Sequence, residues 1–406
     1  MSNILDQGGM GEFVLSGKKA WTYAEEILLQ VSRTFALNIN VLKGKLHRSI
    51  LLAYLYLRIA DTVEDDPDMT ASEKEVLLDK FAEIFRSADL KDEAVSAFED
   101  SLPASWRARS SEPYFDLCLH THVVVPLLKE LPEVYAAPVR DVTIEMCGGM
   151  AKFAKRQEAA LSSGWFTLES VAELDEYCYY VAGIVGKLLT HLFAADTCWI
   201  NDARKSEMQK LDVSFGLALQ VANIVKDCRE DSERRVCFVP EEICRRHGFA
   251  HSYDMFDGGR QTAAEAAGCV AGETAADAAG CVAGEAAADA AGCAAGEAVA
   301  DFDRRRAAVM NELVQKTWKH LEDAIAYTKL IPNIKMRTRL FCLWPLFMAA
   351  ENMKLIGDGS SIFASEKKVK ITRDTVKNIV KSSMKHFYSD KWIDRKFAEV
   401  RAGKSF

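Results

Sequence analysis

The sequence predicts an all-α fold, a single bundle whose helices surround a central apolar cavity. Apolar residues recur at intervals of three and four between Ser16 and Arg58 with no intervening proline, which is typical of long helices. Runs that alternate apolar and polar residues, as strands do, are few. Only nine prolines occur, and five of them are expected to mark breaks between helices: Pro103, Pro113, Pro126, Pro132 and Pro138.

The composition indicates an ordinary globular protein of 406 residues, with 49% hydrophobic and 27% charged residues, and excludes disorder of the whole chain. The net charge of −8 and the lack of a basic block argue against nucleic acid as a partner. The eleven cysteines form no C-x-x-C pair, which favours a reducing compartment. No secretory signal and no apolar run of about 20 residues is present. We therefore expect a cytoplasmic protein without a transmembrane helix.

A low-complexity segment at 262–297 consists of three consecutive 12-residue copies of an Ala/Gly/Cys repeat. Alanine favours helix, but each glycine costs about 1 kcal/mol in a helix, so we expect a marginal surface helix or a flexible loop. Single cysteines 12 residues apart lack the short spacing of a zinc site. We interpret the segment as a surface insertion in one domain that spans residues 1–406.

The first acidic motif ends an apolar helix predicted over Leu51 to Asp66. Asp61 and Asp65 are four residues apart and therefore share a helix face, with Glu64 beside them and Arg58 one turn earlier. Like charges repel at this spacing, and a helix C-terminus disfavours anions. Helix propensity alone would therefore not place aspartates here, whereas a divalent cation would remove both objections.

A second polar stripe runs along a later helix, at spacings of three, four and four residues: Gln220, Asn223, Asp227 and Asp231. Apolar residues flank it, so we expect it to face the interior, where a carboxylate needs a cation as compensation. The two D-x-x-E-D motifs suggest two acidic clusters that face each other across one cavity. Carboxylate ligands suit Mg²⁺, which also binds substrate phosphates, and this predicts a diphosphate site. For either motif alone, a solvated helix end is an equal alternative.

Five segments stand in order along the chain: SRTFALNI at 32–39, LRIADTVEDD at 57–66, YCYYVAGIVG at 177–186, QVANIVKDCRED at 220–231 and FCLWP at 341–345. Together they resemble the motifs of the trans-isoprenyl diphosphate synthases that join substrates head to head, a family that includes squalene, dehydrosqualene and phytoene synthases. The repeat at 262–297 interrupts none of the five segments. The resemblance implies a helical bundle of the isoprenoid-synthase type.

The resemblance also implies a set of site residues. The Mg²⁺ ligands, direct or through water, would be Asp61, Glu64, Asp65, Asn223, Asp227 and Asp231. Diphosphate oxygens would be held by Arg33 and Arg58, with Arg235 as a further candidate. The remaining substrate-binding residues would be Ser32, Phe35, Tyr54, Val181, Gly186, Leu189, Gln220, Asn223 and Phe341.

Tyr177 matches the catalytic tyrosine of the family. Its phenol would relay a proton to the departing diphosphate or stabilise a cation over its ring, and the sequence leaves both roles open. An aromatic core residue is the alternative. Gly183 and Gly186 are expected to allow close helix approach, because no G-x-G-x-x-G element with a strand accompanies them.

The implied reaction joins two farnesyl diphosphates through a cyclopropylcarbinyl diphosphate. Hydride from NADPH would then give squalene, whereas proton loss would give dehydrosqualene or phytoene. FCLWP and VKITR at 369–373 favour the squalene branch. A catalytically silent helical interaction protein would be expected to have damaged aspartate motifs, and both are intact. The apolar substrate and product imply peripheral association with a membrane surface.

Overall fold

The computed structural model describes residues 17–256, 284–364, 369–404 and 406. The chain divides into two compact units, one ending at Ala151 and the other running from Lys152 onward. Both units are helical, so the all-α prediction is confirmed. The prediction of a single domain over residues 1–406, with helices around one cavity, stays a prediction.

The first unit packs its helices around α3. In order it contains α1 (Gly17–Val31), α2 (Arg33–Asn40), α3 (Gly44–Asp65), α4 (Ala71–Arg86), α5 (Asp92–Glu99), α6 (Ala104–Ala108), α7 (Pro113–Leu119), α8 (Thr121–Val124), a 3₁₀ turn (Val125–Glu130) and α9 (Glu133–Ser163), whose last residues belong to the second unit. Helices α1, α4 and α7 all contact α3. The apolar side chains of Leu51, Leu55 and Ile59 are fully buried, as the three- and four-residue spacing requires.

The second unit is centred on α13. Its helices are α10 (Val171–Cys178), a π-helical turn (Tyr179–Gly183), α11 (Ile184–Asp196), α12 (Asp202–Gln209), α13 (Asp212–Glu233), α14 (Glu241–Arg246), a 3₁₀ turn (Ser252–Met255), α15 (Gly284–Leu330), α16 (Met336–Ile356), α17 (Ser360–Ala364), α18 (Arg373–His386) and α19 (Asp390–Arg401). Helices α11, α15 and α16 pack against α13. Two short strands, β1 (Phe166–Thr167) and β2 (Val236–Cys237), pair in parallel with Phe166 opposite Val236.

Pro138 lies inside α9, so the prediction that it marks a helix break is wrong. Proline removes the hydrogen bond to the carbonyl four residues earlier, which here belongs to Val134. Val134 is exposed in the first turn of the helix, so water can reach that carbonyl. Pro103, Pro113 and Pro126 precede or begin short helical elements, and Pro132 immediately precedes the long helix α9, so these four mark breaks as predicted.

Two glycines allow the helical run that contains α11 to approach α13 closely. A Cβ atom at Gly186 would stand 1.7 Å from the carbonyl oxygen of Asp212, and one at Gly216 would stand 2.1 Å from that of Ala182. Neither position accepts a side chain without movement of the backbone. The expectation that Gly186 serves helix packing is confirmed, and this contact fixes the tyrosine-rich segment against the helix of the second acidic motif.

The third copy of the repeat, 286–297, is helical and belongs to the beginning of α15. Most of the first two copies lies outside the described residues. Among those that are described, the helical run Val171–Asp196 is long and apolar enough to cross a membrane, and half of its most apolar window is buried within the fold. Core helices of soluble proteins share these properties, so this run is weak evidence for a membrane span.

Candidate active site

The first acidic motif forms the last turn of α3. Asp61 and Glu64 are half-buried, and Asp65 is exposed. Nη1 of Arg58 lies 3.3 Å from Oδ2 of Asp61. Residues three and four apart share one face of a helix, so the fold of α3 alone brings these four side chains together.

The carboxylates of this turn are poorly compensated. Burial raises the pKa of Asp61 to about 6, against the opposing effect of Arg58 and with a smaller contribution from Asp65. Burial and the charges of Asp65 and Asp61 also raise the pKa of Glu64. Both shifts mean that the ionised carboxylate is disfavoured where it stands, and a divalent cation would offset that cost. The donor set therefore fits a hard, oxygen-preferring cation.

The Arg58 guanidinium makes two polar contacts and keeps one buried donor without a partner among the described residues. Besides its contact with Asp61, it donates from Nη2 to the hydroxyl of Tyr54 at 3.2 Å. Its Nε is buried and has no hydrogen-bond partner among the described residues. A buried donor of this kind requires a physical explanation, and an anionic oxygen at this point would satisfy it.

Hydrogen bonds from neighbouring residues fix the end of α3. Asp66 accepts hydrogen bonds from Nε1 of the buried Trp106 and, at 2.8 Å, from the backbone N–H of Asp68. Lys74 of α4 donates to the carbonyl oxygen of Glu64 at 2.6 Å, where a cation stabilises a helix C-terminus. Asp66 is thus structural, although it belongs to the same acidic run as Asp61 and Asp65.

The N-terminal segment contributes one aromatic contact to this site. Ser32 caps α2, and its Oγ accepts a hydrogen bond from the backbone N–H of Phe35 at 3.2 Å. The ring of Phe35 packs against that of Tyr54, with centroids 5.4 Å apart. The side chain of Arg33 lies outside the described part of the chain. Phe35 thus contacts Tyr54, which in turn contacts Arg58. Ser32 caps helix α2.

The second acidic motif occupies the C-terminal half of α13. The expectation that the whole stripe faces the interior is wrong for Asn223, which is exposed, while Gln220 and Asp227 are half-buried. Val221 and Val225 occupy the buried face of α13, which leaves the stripe at its margin. Nζ of Lys226 lies 3.0 Å from Oδ1 of Asn223 and 3.4 Å from Oδ2 of Asp227.

Asp231 is buried and forms an ion pair within its own turn. Nη2 of Arg234 donates to its Oδ1 at 2.6 Å. Burial raises the pKa of Asp231 despite this partner. Arg235 has a left-handed backbone with a φ of 59°, and its carbonyl oxygen accepts a hydrogen bond from the N–H of Phe166 at 3.0 Å. The backbone of Arg235 thus joins the end of the motif to the short sheet.

Tyr177 stands just before the π-helical turn. Its ring stacks on Phe238 at 4.6 Å and 22°, and its edge contacts Phe153 at 5.2 Å and 73°. In the following turn, the hydroxyl of Tyr179 accepts a hydrogen bond from Nζ of Lys187 at 2.9 Å. π-Helical turns inside α-helices are frequent at functional sites. Nothing in the spacing of the sequence signals this turn, because the apolar pattern continues through it.

The other predicted lining residues of the second unit lie on three helical segments. Val181 is half-buried in the π-helical turn, and Leu189 is buried in α11. Phe341 is buried in α16, with its ring 6.2 Å from that of Phe193. The backbone of Asp212 occupies the space where a side chain at Gly186 would stand.

Within the described ranges, no group of three or more His, Cys, Asp or Glu side chains is arranged to hold a metal ion by itself.

Comparison with known proteins identifies the family. The family model for squalene/phytoene synthase matches residues 28–288. The chain belongs to this family. The squalene synthases of Schizosaccharomyces pombe and Homo sapiens are each 31% identical to it, over 55% and 54% of this chain and 44% and 46% of the relatives. That of Gibberella zeae is 33% identical over 57% of this chain and 46% of the relative. The chain spans about half the length of the curated relatives it matches.

Solved structures share the fold over nearly the whole chain. TcSQS in complex with the ligand E5700 superposes with a TM-score of 0.67 at 21% identity, over 95% of this chain and 91% of that chain. A dehydrosqualene synthase in complex with a ligand superposes with a TM-score of 0.54 at 18% identity, over 92% and 98%. At these identities the likeness establishes the helical fold and nothing finer.

Proposed function

We propose that this member of the squalene/phytoene synthase family is a squalene synthase, a prenyltransferase that condenses two farnesyl diphosphates head to head and reduces the product with NADPH. The observation that carries the proposal is the end of α3. There, a buried Arg58 donor has no partner among the described residues and lies beside carboxylates whose pKa values are raised. A diphosphate that arrives with a divalent cation would satisfy both groups at once. The names of the curated relatives support this choice within the family.

We assign the cation to the two acidic motifs. Mg²⁺ would be held by Asp61, Glu64 and Asp65 of α3 and by Asn223, Asp227 and Asp231 of α13. When bound, Mg²⁺ would neutralise the charge that develops on the departing diphosphate. Arg58 would donate hydrogen bonds to diphosphate oxygens, with Tyr54 holding one of its amino groups in place. The expectation that the two motifs face one cavity stays a prediction.

We assign Tyr177 the role of proton donor in the reaction. Its ring is fixed between Phe153 and Phe238, which gives its hydroxyl a defined direction. The phenol would donate a proton to the departing diphosphate. Tyr177→Phe keeps the ring and removes only that proton, so a loss of turnover with unchanged thermal stability would separate this role from that of a core aromatic residue.

NADPH would supply the hydride that reduces the last carbocation. Among the described residues, no Gly-rich turn joins a strand to a helix in the manner of a dinucleotide fold, and we assign no residue to this cofactor. Its place in the proposal rests on the squalene synthases to which the chain is similar.

Product analysis tests the proposed reaction. Purified protein is incubated with farnesyl diphosphate and Mg²⁺, with and without NADPH, and the extracts are analysed by mass spectrometry. We expect squalene only when NADPH is present, and the cyclopropyl diphosphate with its breakdown products when it is absent. If dehydrosqualene stays the sole hydrocarbon in the presence of NADPH, or if only geranylgeranyl diphosphate is consumed, the enzyme is of the dehydrosqualene or phytoene type.

We propose a cytoplasmic location with peripheral attachment to membranes, because the prenyl tails and the hydrocarbon product partition into lipid. Fractionation of cells tests this placement. The protein should sediment with membranes and be released by high salt or carbonate. Extraction only by detergent would indicate a spanning segment instead.

A further inference from the structure

A second aromatic ring approaches Arg58 from α7. The ring centroid of Tyr114 lies 5.8 Å from Cζ of Arg58, as near as the ring of Tyr54 at 5.7 Å. Tyr114 is one of the exposed large side chains of the first unit, with 42% of its surface accessible. Helix α7 packs on α3, so the contact follows from the packing of these two helices. No motif of the sequence points to Tyr114.

The chemistry of this contact suits an arginine that must keep its charge for a ligand. A carboxylate in place of Tyr114 would hold the guanidinium more firmly but would also cancel its charge. An aromatic face attracts a cation through its quadrupole and carries no net charge. Tyr54 and Tyr114 both lie within cation–π distance of the guanidinium and limit its movement, while its buried Nε–H keeps no partner among the described residues.

We infer that Tyr114 is a positioning residue, which holds the Arg58 guanidinium in the orientation that receives a diphosphate oxygen. The inference rests on the proposed function, because it takes Arg58 as a diphosphate ligand. Tyr114 acts through its ring face and not through its hydroxyl, so phenylalanine should replace it and an aliphatic side chain should not. The energetic contribution of an exposed cation–π pair is modest, so the effect on binding should be graded and not total.

Calorimetric titration of inorganic diphosphate in saturating Mg²⁺ tests the inference on the full chain. Tyr114→Leu should weaken binding by about two- to fivefold, and Tyr114→Phe should bind like the wild type. Tyr388→Leu is the matched control, because Tyr388 is also exposed and contacts Phe387 and no arginine in the described contacts. Tyr114→Gln replaces the leucine variant if that protein does not fold.

A double-mutant cycle shows whether Tyr114 acts through Arg58. In an Arg58→Gln background, Tyr114→Leu should have no further effect on diphosphate affinity. With farnesyl diphosphate as substrate, Tyr114→Leu should raise KM by the same factor and leave kcat nearly unchanged, since the ring contributes binding and not chemistry. A purely structural role would instead lower thermal stability and affect both backgrounds equally.

The outcomes separate this inference from the proposed function. If the wild type binds diphosphate and Arg58→Gln weakens it, but Tyr114→Leu binds normally, the positioning role of Tyr114 is wrong and the proposed function stands. If Tyr114→Phe binds diphosphate as weakly as Tyr114→Leu does, the hydroxyl of Tyr114 and not its ring determines affinity, and the inference is wrong. If Arg58→Gln binds diphosphate like the wild type, the assignment of Arg58 falls and the inference falls with it.

Discussion

The two D-x-x-E-D motifs share their pattern but differ in how their charge is compensated. In α3, Arg58 faces Asp61, Lys74 donates to a backbone carbonyl, and the pKa values of Asp61 and Glu64 stay raised. In α13, each aspartate has a cation from its own stretch of chain: Lys226 for Asp227 and Arg234 for Asp231. The same pattern thus has fewer neighbouring cations in α3 than in α13, although burial raises the pKa of Asp231 in α13 as well.

This difference has a physical origin in the residues that flank the two motifs. Ala60 precedes Asp61 and Asp68 stands three residues after Asp65, whereas Lys226 precedes Asp227 and Arg234 stands three residues after Asp231. Side chains three residues apart lie on one helix face, as Asp231 and Arg234 do, and Nζ of Lys226 lies 3.4 Å from Oδ2 of its neighbour Asp227. We expect the first cluster to depend more steeply on Mg²⁺ than the second, and the following experiments test that expectation.

The largest effect should come from Asp61→Asn and Asp227→Asn, which remove charge with little change in shape. Loss of a metal ligand costs several kcal/mol of transition-state stabilisation, so turnover should fall by at least about 100-fold in both variants. Asp61→Asn should be the more severe because its cluster has less compensation. Turnover is measured at saturating Mg²⁺ with helicity followed by circular dichroism. Asp92→Asn, at a highly exposed carboxylate of the first unit, is the control. Near-normal turnover in either site variant would contradict the assignment.

The second-largest effect is expected in the thermal stability of the metal-free protein, which should respond differently to substitutions in the two clusters. At pH 8 with chelator, Asp61→Asn should raise Tm by about 2–4 °C, because it removes an ionised carboxylate whose folded pKa of about 6 lies above its ordinary value. A group with a raised folded pKa loses its stabilising contribution as the pH rises through that value, so the gain should shrink below pH 6. Asp227→Asn removes the ion pair with Lys226 and should not raise Tm. An equal rise in Tm in both variants would contradict the proposed difference in charge compensation between the two clusters.

Much of this architecture can be predicted from the sequence. The apolar spacing of α3 and α13 identifies both helices and the acidic ends they carry, because those features are local and repeat with the helix period. The close approach at Gly186 was also predictable from the small residue alone.

Other features depend on contacts between residues distant in sequence, or on which face of a helix its neighbours cover. The hydrogen bond from Trp106 to Asp66 joins residues 40 positions apart, and no spacing rule predicts it. The exposure of Asn223 depends on which face of α13 its neighbours cover. Tyr114 reaches Arg58 only because α7 packs on α3. Long-range packing, and not local propensity, decides all three.

A smaller effect is expected from Lys226→Met, which removes the internal cation of the second cluster. The Lys226 ammonium lies within contact distance of Asn223 and Asp227 and is 19% exposed. If these two residues bind Mg²⁺ as proposed, we expect Lys226 to compete with the ion. The Mg²⁺ concentration for half-maximal turnover should fall by about two- to fivefold, as expected for loss of an ion pair near the surface. Lys210→Met, which breaks an exposed pair with Glu207, is the control and should leave the Mg²⁺ requirement unchanged. A higher Mg²⁺ requirement in Lys226→Met would mean that this lysine assists ligand binding.

The smallest effect should come from Arg234→Gln, the other internal cation of the second cluster. Arg234 is 68% exposed, although its partner Asp231 is only 10% exposed, so water and salt screen the pair far more than the one at Lys226. The Mg²⁺ requirement should change by less than about twofold at physiological ionic strength, and the change should vanish at about 0.5 M salt. Turnover is measured across a Mg²⁺ series at both salt concentrations, beside Lys226→Met. If Arg234→Gln shifts the requirement as far as Lys226→Met does, exposure of the cation does not decide its effect. The second cluster would then have to be treated as a coupled network of Asp227, Asp231 and their two cations.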